Sequence, residues 1–150
     1  MRTTSNGLFL LDASALIALL WRAHEAHERM RRWFDHRGSA GWATCPFTQS
    51  AFVRIVSNPA FSRDSLTPLQ ALRVLQANLE HPGHHFWPAD LQLKEALGSF
   101  HQRLTGHQQV TDAYLFGLAL QRKGKLATLD RRIDSLLGDV AAGVVETIPR

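Results

Sequence analysis

The 150-residue sequence predicts an α/β fold, a parallel β-sheet flanked by helices, in a single domain over residues 1–150. Three observations carry this. Short, continuous apolar runs such as LFLL (8–11) and KLATL (125–129) read as strands buried on both faces. Stretches with helical spacing alternate with them. No linker rich in Pro, Gly or Ser, no repeat and no low-complexity tract divides the chain.

The elements follow in order. After LFLL, ASALIALLWRA has helical spacing, and AHERMRRWFDHR continues as a second, amphipathic helix. Gly38 to Gly41 breaks it. GWATC reads as a second strand, and FTQSAFVRIVSN as a helix that must stop before Pro59. Leu66 to Leu79 is periodic, with Thr67 as N-cap and Pro68 at the first helical position. HHFWP (84–88) suits a short strand, and DLQLKEALGSFHQ a helix. Residues 109–123 form the clearest helix, ended by Gly124. KLATL, RRIDSLL and GVVETI complete the chain as strand, short helix and strand.

Composition narrows the class. A single cysteine, Cys45, leaves no internal disulfide and fits a reducing compartment. Asp12 interrupts the first apolar run, which is too short to span a bilayer and lacks a signal-peptide cleavage pattern. A soluble cytoplasmic protein with no membrane contact is expected. The net charge is +4 and the isoelectric point about 10.0. Arginine supplies most of that charge, in Arg29 to Arg37, at Arg122, and at Arg131 and Arg132. Its planar fork suits phosphate oxygens, so the balance points to an anionic partner, although a solvated helix face explains any one cluster equally well.

Three acids occupy comparable places. Asp12 directly follows LFLL, Asp130 directly follows KLATL, and Asp112 lies just after Thr111 in the first turns of the long helix. In open parallel sheets, ligand sites form at the carboxyl ends of the strands. Each acid also has an ordinary role: Asp12 and Asp130 as N-caps, Asp112 complementing a helix dipole. Together they make a like-charged cluster, which a divalent cation would neutralise. Carboxylate oxygens select hard cations, Mg²⁺ or Mn²⁺.

LLDASALIALL, CPFTQSAFVRIVSNP and TDAYLFGLALQRKGKLATLDRR, in this order over residues 8–132, resemble the blocks of PIN-domain ribonucleases, and most nearly the VapC toxins of bacterial toxin–antitoxin pairs. The resemblance implies a PIN-like α/β/α sandwich. It also implies a metal-dependent endoribonuclease in which Asp12, Asp112 and Asp130 hold Mg²⁺ or Mn²⁺. Thr128 matches the Thr of the T-x-D block, where its hydroxyl orients a carboxylate or a bound water. Arg54 matches a basic position of the family, and Arg54, Arg131 and Arg132 are the expected RNA contacts. A VapB-like antitoxin covering the acidic rim, and homodimerisation through apolar residues of the first helices, are implied as well.

One position departs from the pattern. The family places Glu after the Thr of the middle block, where this chain has Gln49, and no carboxylate lies between Asp35 and Asp64. Gln keeps an oxygen ligand but loses a charge. Two unit charges 4 Å apart interact by about 4 kcal/mol at an effective dielectric of 20, before solvation reduces it. The sequence therefore leaves open a second reading, an impaired PIN domain that binds RNA or an antitoxin without efficient cleavage.

Other classes fit poorly. A haloacid-dehalogenase-type phosphatase needs a second Asp where Ser14 stands, and a receiver domain needs an acidic pair near its first strand. HEAHE (24–28) places Glu28 where a zinc protease needs His. Trp21, Trp33, Trp42 and Trp87 read as core or interface residues rather than base-stacking platforms.

Overall fold

The computed structural model describes residues 7–98, 104–107 and 109–150. Its five strands are β1 (Phe9–Leu11), β2 (Trp42–Thr44), β3 (His84–Phe86), β4 (Lys125–Thr128) and β5 (Val145–Thr147). They form one sheet in the order β3-β2-β1-β4-β5, every pair parallel. The most apolar strand, β1, is therefore central, as the LFLL run requires. Asp12 follows it at the middle of the carboxyl edge.

Helices α1 (Ala13–Leu20), α2 (His27–Trp33), α3 (Pro46–Val56) and α4 (Pro68–Leu79) pack on one face, around Phe9, Leu11, Leu16, Met30, Phe52 and Leu75. Helices α5 (Leu93–Leu97), α6 (Gln109–Gln121) and α7 (Arg132–Leu137) cover the other, around Leu10, Leu115, Phe116, Leu118 and Leu126. Alternation along β1 thus sends Leu10 to one core and Leu11 to the other. The expected α/β/α layering is present.

Two boundaries differ from the sequence reading. The first helix was expected to run through WRA, but it ends at Leu20, where Trp21 turns extended and its N–H caps onto the Ile17 carbonyl. Trp21 then packs edge-on against Phe61, at 5.2 Å between ring centroids. Tertiary packing of a bulky ring overrides helical propensity here. The helix expected over DLQLKEALGSFHQ covers only Leu93–Leu97 among the described residues, and the SFHQ end lies outside them.

Trp33, Trp42 and Trp87 are buried, as expected, and Trp21 is half-buried. Among the described residues, the large apolar side chains left exposed are Phe47, Leu69, Leu72, Phe86, Leu93 and Leu120. None lies on α1 or α2. The first helices spend their apolar faces on the core, so they offer no exposed large apolar residue for the dimer surface expected of them.

Helix α6, which carries Asp112, is fixed by a close approach at Gly117. A Cβ there would stand 2.9 Å from the Ala96 backbone. Glycine lets α5 seat directly on α6 and sets the depth of its N-terminal turns.

Candidate active site

The end of β1 and the start of α1 fix Asp12. It is the N-cap of α1, its Oδ1 accepting from the Ala15 N–H at 2.8 Å and from Ser14 Oγ at 2.9 Å. Its Oδ2 accepts from the hydroxyl of Thr128. The carboxyl is buried, and burial pushes its pKa up against the lowering by these three donors. A cap alone does not require burial under a second strand's hydroxyl. The same carboxyl thus caps α1 and meets the end of the neighbouring strand β4.

Thr128 ends β4, the neighbour of β1, and is wholly buried. While its hydroxyl donates to Asp12, its Oγ1 accepts from the Asp130 N–H at 2.9 Å. One side chain thus ties two of the three acids together. Thr128 therefore holds the Asp12 carboxyl and the Asp130 backbone at once.

Asp130 makes its own contacts with Arg132. Its Oδ1 accepts from the Arg132 backbone N–H and from Nε, and its Oδ2 from Nη2, at 2.9 to 3.1 Å. This guanidinium holds the Asp130 carboxyl below the usual range. Asp112 behaves oppositely. Burial, then the charges of Asp12 and Asp130, raise its pKa to about 6. Asp112, Asp130 and Arg132 line one cavity of about 200 Å³ together with His107 and Gln109. The three acids are therefore within electrostatic reach of one another, although they come from residues 12, 112 and 130.

Gln49 lies in the first turn of α3, after Pro46 at the first helical position and Thr48, whose Oγ1 accepts from the Cys45 N–H. Its Nε2 donates to the buried Thr44 hydroxyl at 2.9 Å, and that oxygen lies 2.7 Å from His84 Nε2. Burial lowers the pKa of His84, favouring the neutral ring. In the neutral tautomer that carries its hydrogen on Nδ1, Thr44 gives its one hydrogen to His84 and accepts from Gln49. This polarity turns the amide nitrogen of Gln49 toward Thr44 and leaves Oε1 as its free oxygen.

Not every expected site residue joins. Arg54 is exposed in the last turn of α3, about 140° around the helix from Gln49, and does not line the acidic cavity. Arg131 stands at the mouth of a neighbouring cleft with Arg132. Ser14, which donates to Asp12, and the Thr44–His84 pair, which holds Gln49, were not among the expected residues. Ser14 had a local signal, two residues after a capping Asp. Thr44 and His84 had none, because strand pairing brings them together.

Among the described residues, no three His, Cys, Asp or Glu side chains gather as a ready metal cage. The donor chemistry nevertheless suits a hard divalent cation: three carboxylates at one sheet edge, one with a raised pKa and one chelated by an arginine. Arg132 offsets the charge of Asp130, and a cation at this edge would compete with its guanidinium for that carboxylate.

Comparison with known proteins agrees with this geometry. Residues 9–137 match the PIN domain model. The chain is 39% identical over 139 residues to Ribonuclease VapC39 of Mycobacterium tuberculosis, covering 93% of this chain and 98% of that protein. To Ribonuclease VapC38 of the same organism it is 39% identical over 127 residues, covering 85% and 88%. Among solved structures it resembles the DNA-bound VapBC complex from Salmonella typhimurium at a TM-score of 0.65 and 16% identity, over 95% of this chain and 99% of that one. The chain belongs to the PIN-domain family and is homologous to its VapC members.

Proposed function

We propose that this chain is a divalent-metal-dependent endoribonuclease and the toxin of a type II toxin–antitoxin pair, hydrolysing RNA phosphodiester bonds. The observation that carries the reading is the Thr128 bridge between Asp12 and Asp130, with Asp112 raised to about 6 beside them. Such an arrangement concentrates negative charge where a cation and a phosphate meet. The three acids are the proposed ligands of Mg²⁺ or Mn²⁺. When bound, the cation supplies Lewis-acid stabilisation of the charge that develops on the phosphoryl oxygens.

The chain's own groups do the rest. Asp12, fixed by three donors, holds one rim of the site in place. Asp112, with a pKa near 6 before any cation is bound, is the acid whose ionisation a cation would favour most near neutral pH. Arg132, released from Asp130, is placed to grip the phosphate. Gln49 presents a neutral oxygen where the family has a carboxylate, and this favours a second reading in which cleavage is weak and binding persists.

The proposed partners are RNA and a VapB-like antitoxin; the VapBC neighbour supports the latter. A homodimer is also proposed, on family grounds. Among the described residues no helix is long and apolar enough to cross a membrane. The deciding experiment measures cleavage of single-stranded RNA with Mg²⁺, with Mn²⁺ and with chelator, for the wild type and for Asp112→Asn. Metal-dependent cleavage lost in Asp112→Asn is expected. Equal cleavage by both proteins excludes the site, and RNA binding without cleavage selects the second reading.

A further inference from the structure

A second cleft opens beside the acidic cavity. It measures about 530 Å³ and is lined by Arg29, Leu129, Asp130, Arg131, Arg132 and Arg150. Asp130 and Arg132 line both spaces and form their common wall. Four guanidinium groups reach this opening from three separate parts of the chain: α2, the start of α7, and the segment after β5.

Three of its four guanidinium groups have no carboxylate partner among the described residues. Asp130 is the one carboxylate residue among the lining side chains, and Arg132 already chelates it. Among the described residues, Arg29, Arg131 and Arg150 form no ion pair. Arg29 has only a neutral acceptor, the Pro149 carbonyl at 3.5 Å. An isolated exposed arginine is ordinary solvated surface. Three unpaired ones converging on a cleft repel each other unless an anion lies between them.

We infer that this cleft holds the RNA phosphate next to the one being cleaved, so that the strand crosses the Asp130–Arg132 wall between the two spaces. The inference rests on the ribonuclease reading above. A polynucleotide carries a negative charge at every step, so a strand with one phosphate in the acidic cavity must place a neighbouring phosphate close by. The arginine cleft is the adjoining space with the matching charge. Guanidinium forks bind phosphate oxygens in pairs, and half-buried Leu129 offers an apolar surface to the ribose. Arg29 and Arg150, which sequence reading did not place at the site, become substrate-binding residues. An acidic peptide has the same charge without a phosphate at each step, and it is the alternative occupant to test.

The test uses a short, labelled, mixed-sequence single-stranded RNA, with chelator present so that nothing is cleaved. Anisotropy gives Kd across a salt series for the wild type, Arg29→Ala/Arg150→Ala, Arg29→Lys/Arg150→Lys, and Arg150→Ala alone. Arg150 is exposed at the end of the described chain, so its replacement leaves the fold intact. The slope of log K against log salt should shrink by about 0.7 for the single alanine change and about 1.4 for the double, with the lysine pair keeping the wild-type slope. In cleavage assays the double alanine variant should raise KM more than it lowers kcat. Unchanged slopes in a protein that still cleaves RNA overturn the cleft and leave the ribonuclease standing. Loss of binding to an Asp/Glu-rich peptide with RNA binding intact assigns the cleft to a protein partner and also overturns the inference. A wild type that binds no RNA overturns both.

Discussion

Thr128 donates its hydroxyl hydrogen to Asp12, a residue 116 positions earlier, and the same oxygen accepts the backbone N–H of Asp130. The adjacent strands β1 and β4 make this contact possible. Their register pairs Leu11 with Ala127, so the residues that follow each strand emerge side by side. The bond also gives the first prediction a clean chemical basis.

Thr128→Val keeps shape and volume but removes the hydroxyl. Asp12 then loses one of its three donors in a buried site, and the Asp130 N–H loses its acceptor. Leaving buried polar groups unpaired costs about 1–3 kcal/mol. Urea unfolding should show that loss, and the Asp12 pKa should rise further. Thr128→Ser should restore most of the stability, because it keeps the oxygen. If valine costs nothing, Thr128 does not orient the acid.

The second prediction follows the proton on Asp112. Its folded pKa is about 6 against an ordinary value of 3.8. A raised acid pKa means the folded state binds more protons between those values, so stability falls as pH rises through that window. Asp112→Asn removes the charge that causes the loss. In the metal-free protein it should therefore melt higher than wild type at pH 7–8, by about 1 kcal/mol after solvent screening, or about 2–4 °C. The advantage should shrink as pH drops below 6 and vanish near pH 4. A gain that is constant with pH would mean the charge of Asp112 is not the cause.

Arg132 supplies the third. It is the only cationic partner that Asp130 has among the described residues. Arg132→Ala should let the Asp130 pKa rise toward the ordinary carboxylate value and should tighten Mg²⁺ binding, since no guanidinium competes for the carboxylate. RNA cleavage should nevertheless fall, because a phosphate contact is lost. Calorimetric metal titration and steady-state kinetics separate the two effects. If metal affinity and activity fall together, Arg132 supports the site rather than competing for it.

The sequence placed the three acids at one edge because local rules suffice there: each follows a strand or opens a helix. The parallel sheet was legible for the same reason, through apolar runs alternating with helical periodicity. The Thr128 bridge was partly legible, since the T-x-D block puts the hydroxyl two residues from Asp130. The Thr44–His84 contact was not, because β2 and β3 are 40 residues apart and nothing local pairs them. Nor was the end of α1, which depends on where Trp21 finds an aromatic partner. The gathering of Arg29, Arg131 and Arg150 is likewise a product of topology, invisible in three separate stretches of charge.

Gln49 stands in α3 where the sequence resemblance implies a glutamate. The amide donates to Thr44, and with the His84 hydrogen on Nδ1, Thr44 gives its own hydrogen to neutral His84. A glutamate has no hydrogen to offer, so in Gln49→Glu the Thr44 hydroxyl must turn and donate to the new carboxylate. His84 Nε2 then has to supply a hydrogen to Thr44, which either the Nε2–H neutral tautomer or the protonated ring can do, and the nearby carboxylate charge favours the protonated ring. The His84 pKa, pushed down by burial in the wild type, should rise, and an NMR titration of the histidine ring signals would show it. The added charge should tighten Mg²⁺ or Mn²⁺ binding and raise RNA cleavage, with growth inhibition rising in a host lacking the antitoxin. In the metal-free protein the same charge should cost stability by repulsion from Asp12 and Asp112. A shifted His84 with unchanged metal affinity would confirm the hydrogen-bond chain while removing Gln49 from the metal site. Unchanged His84 and unchanged affinity together would remove it from both.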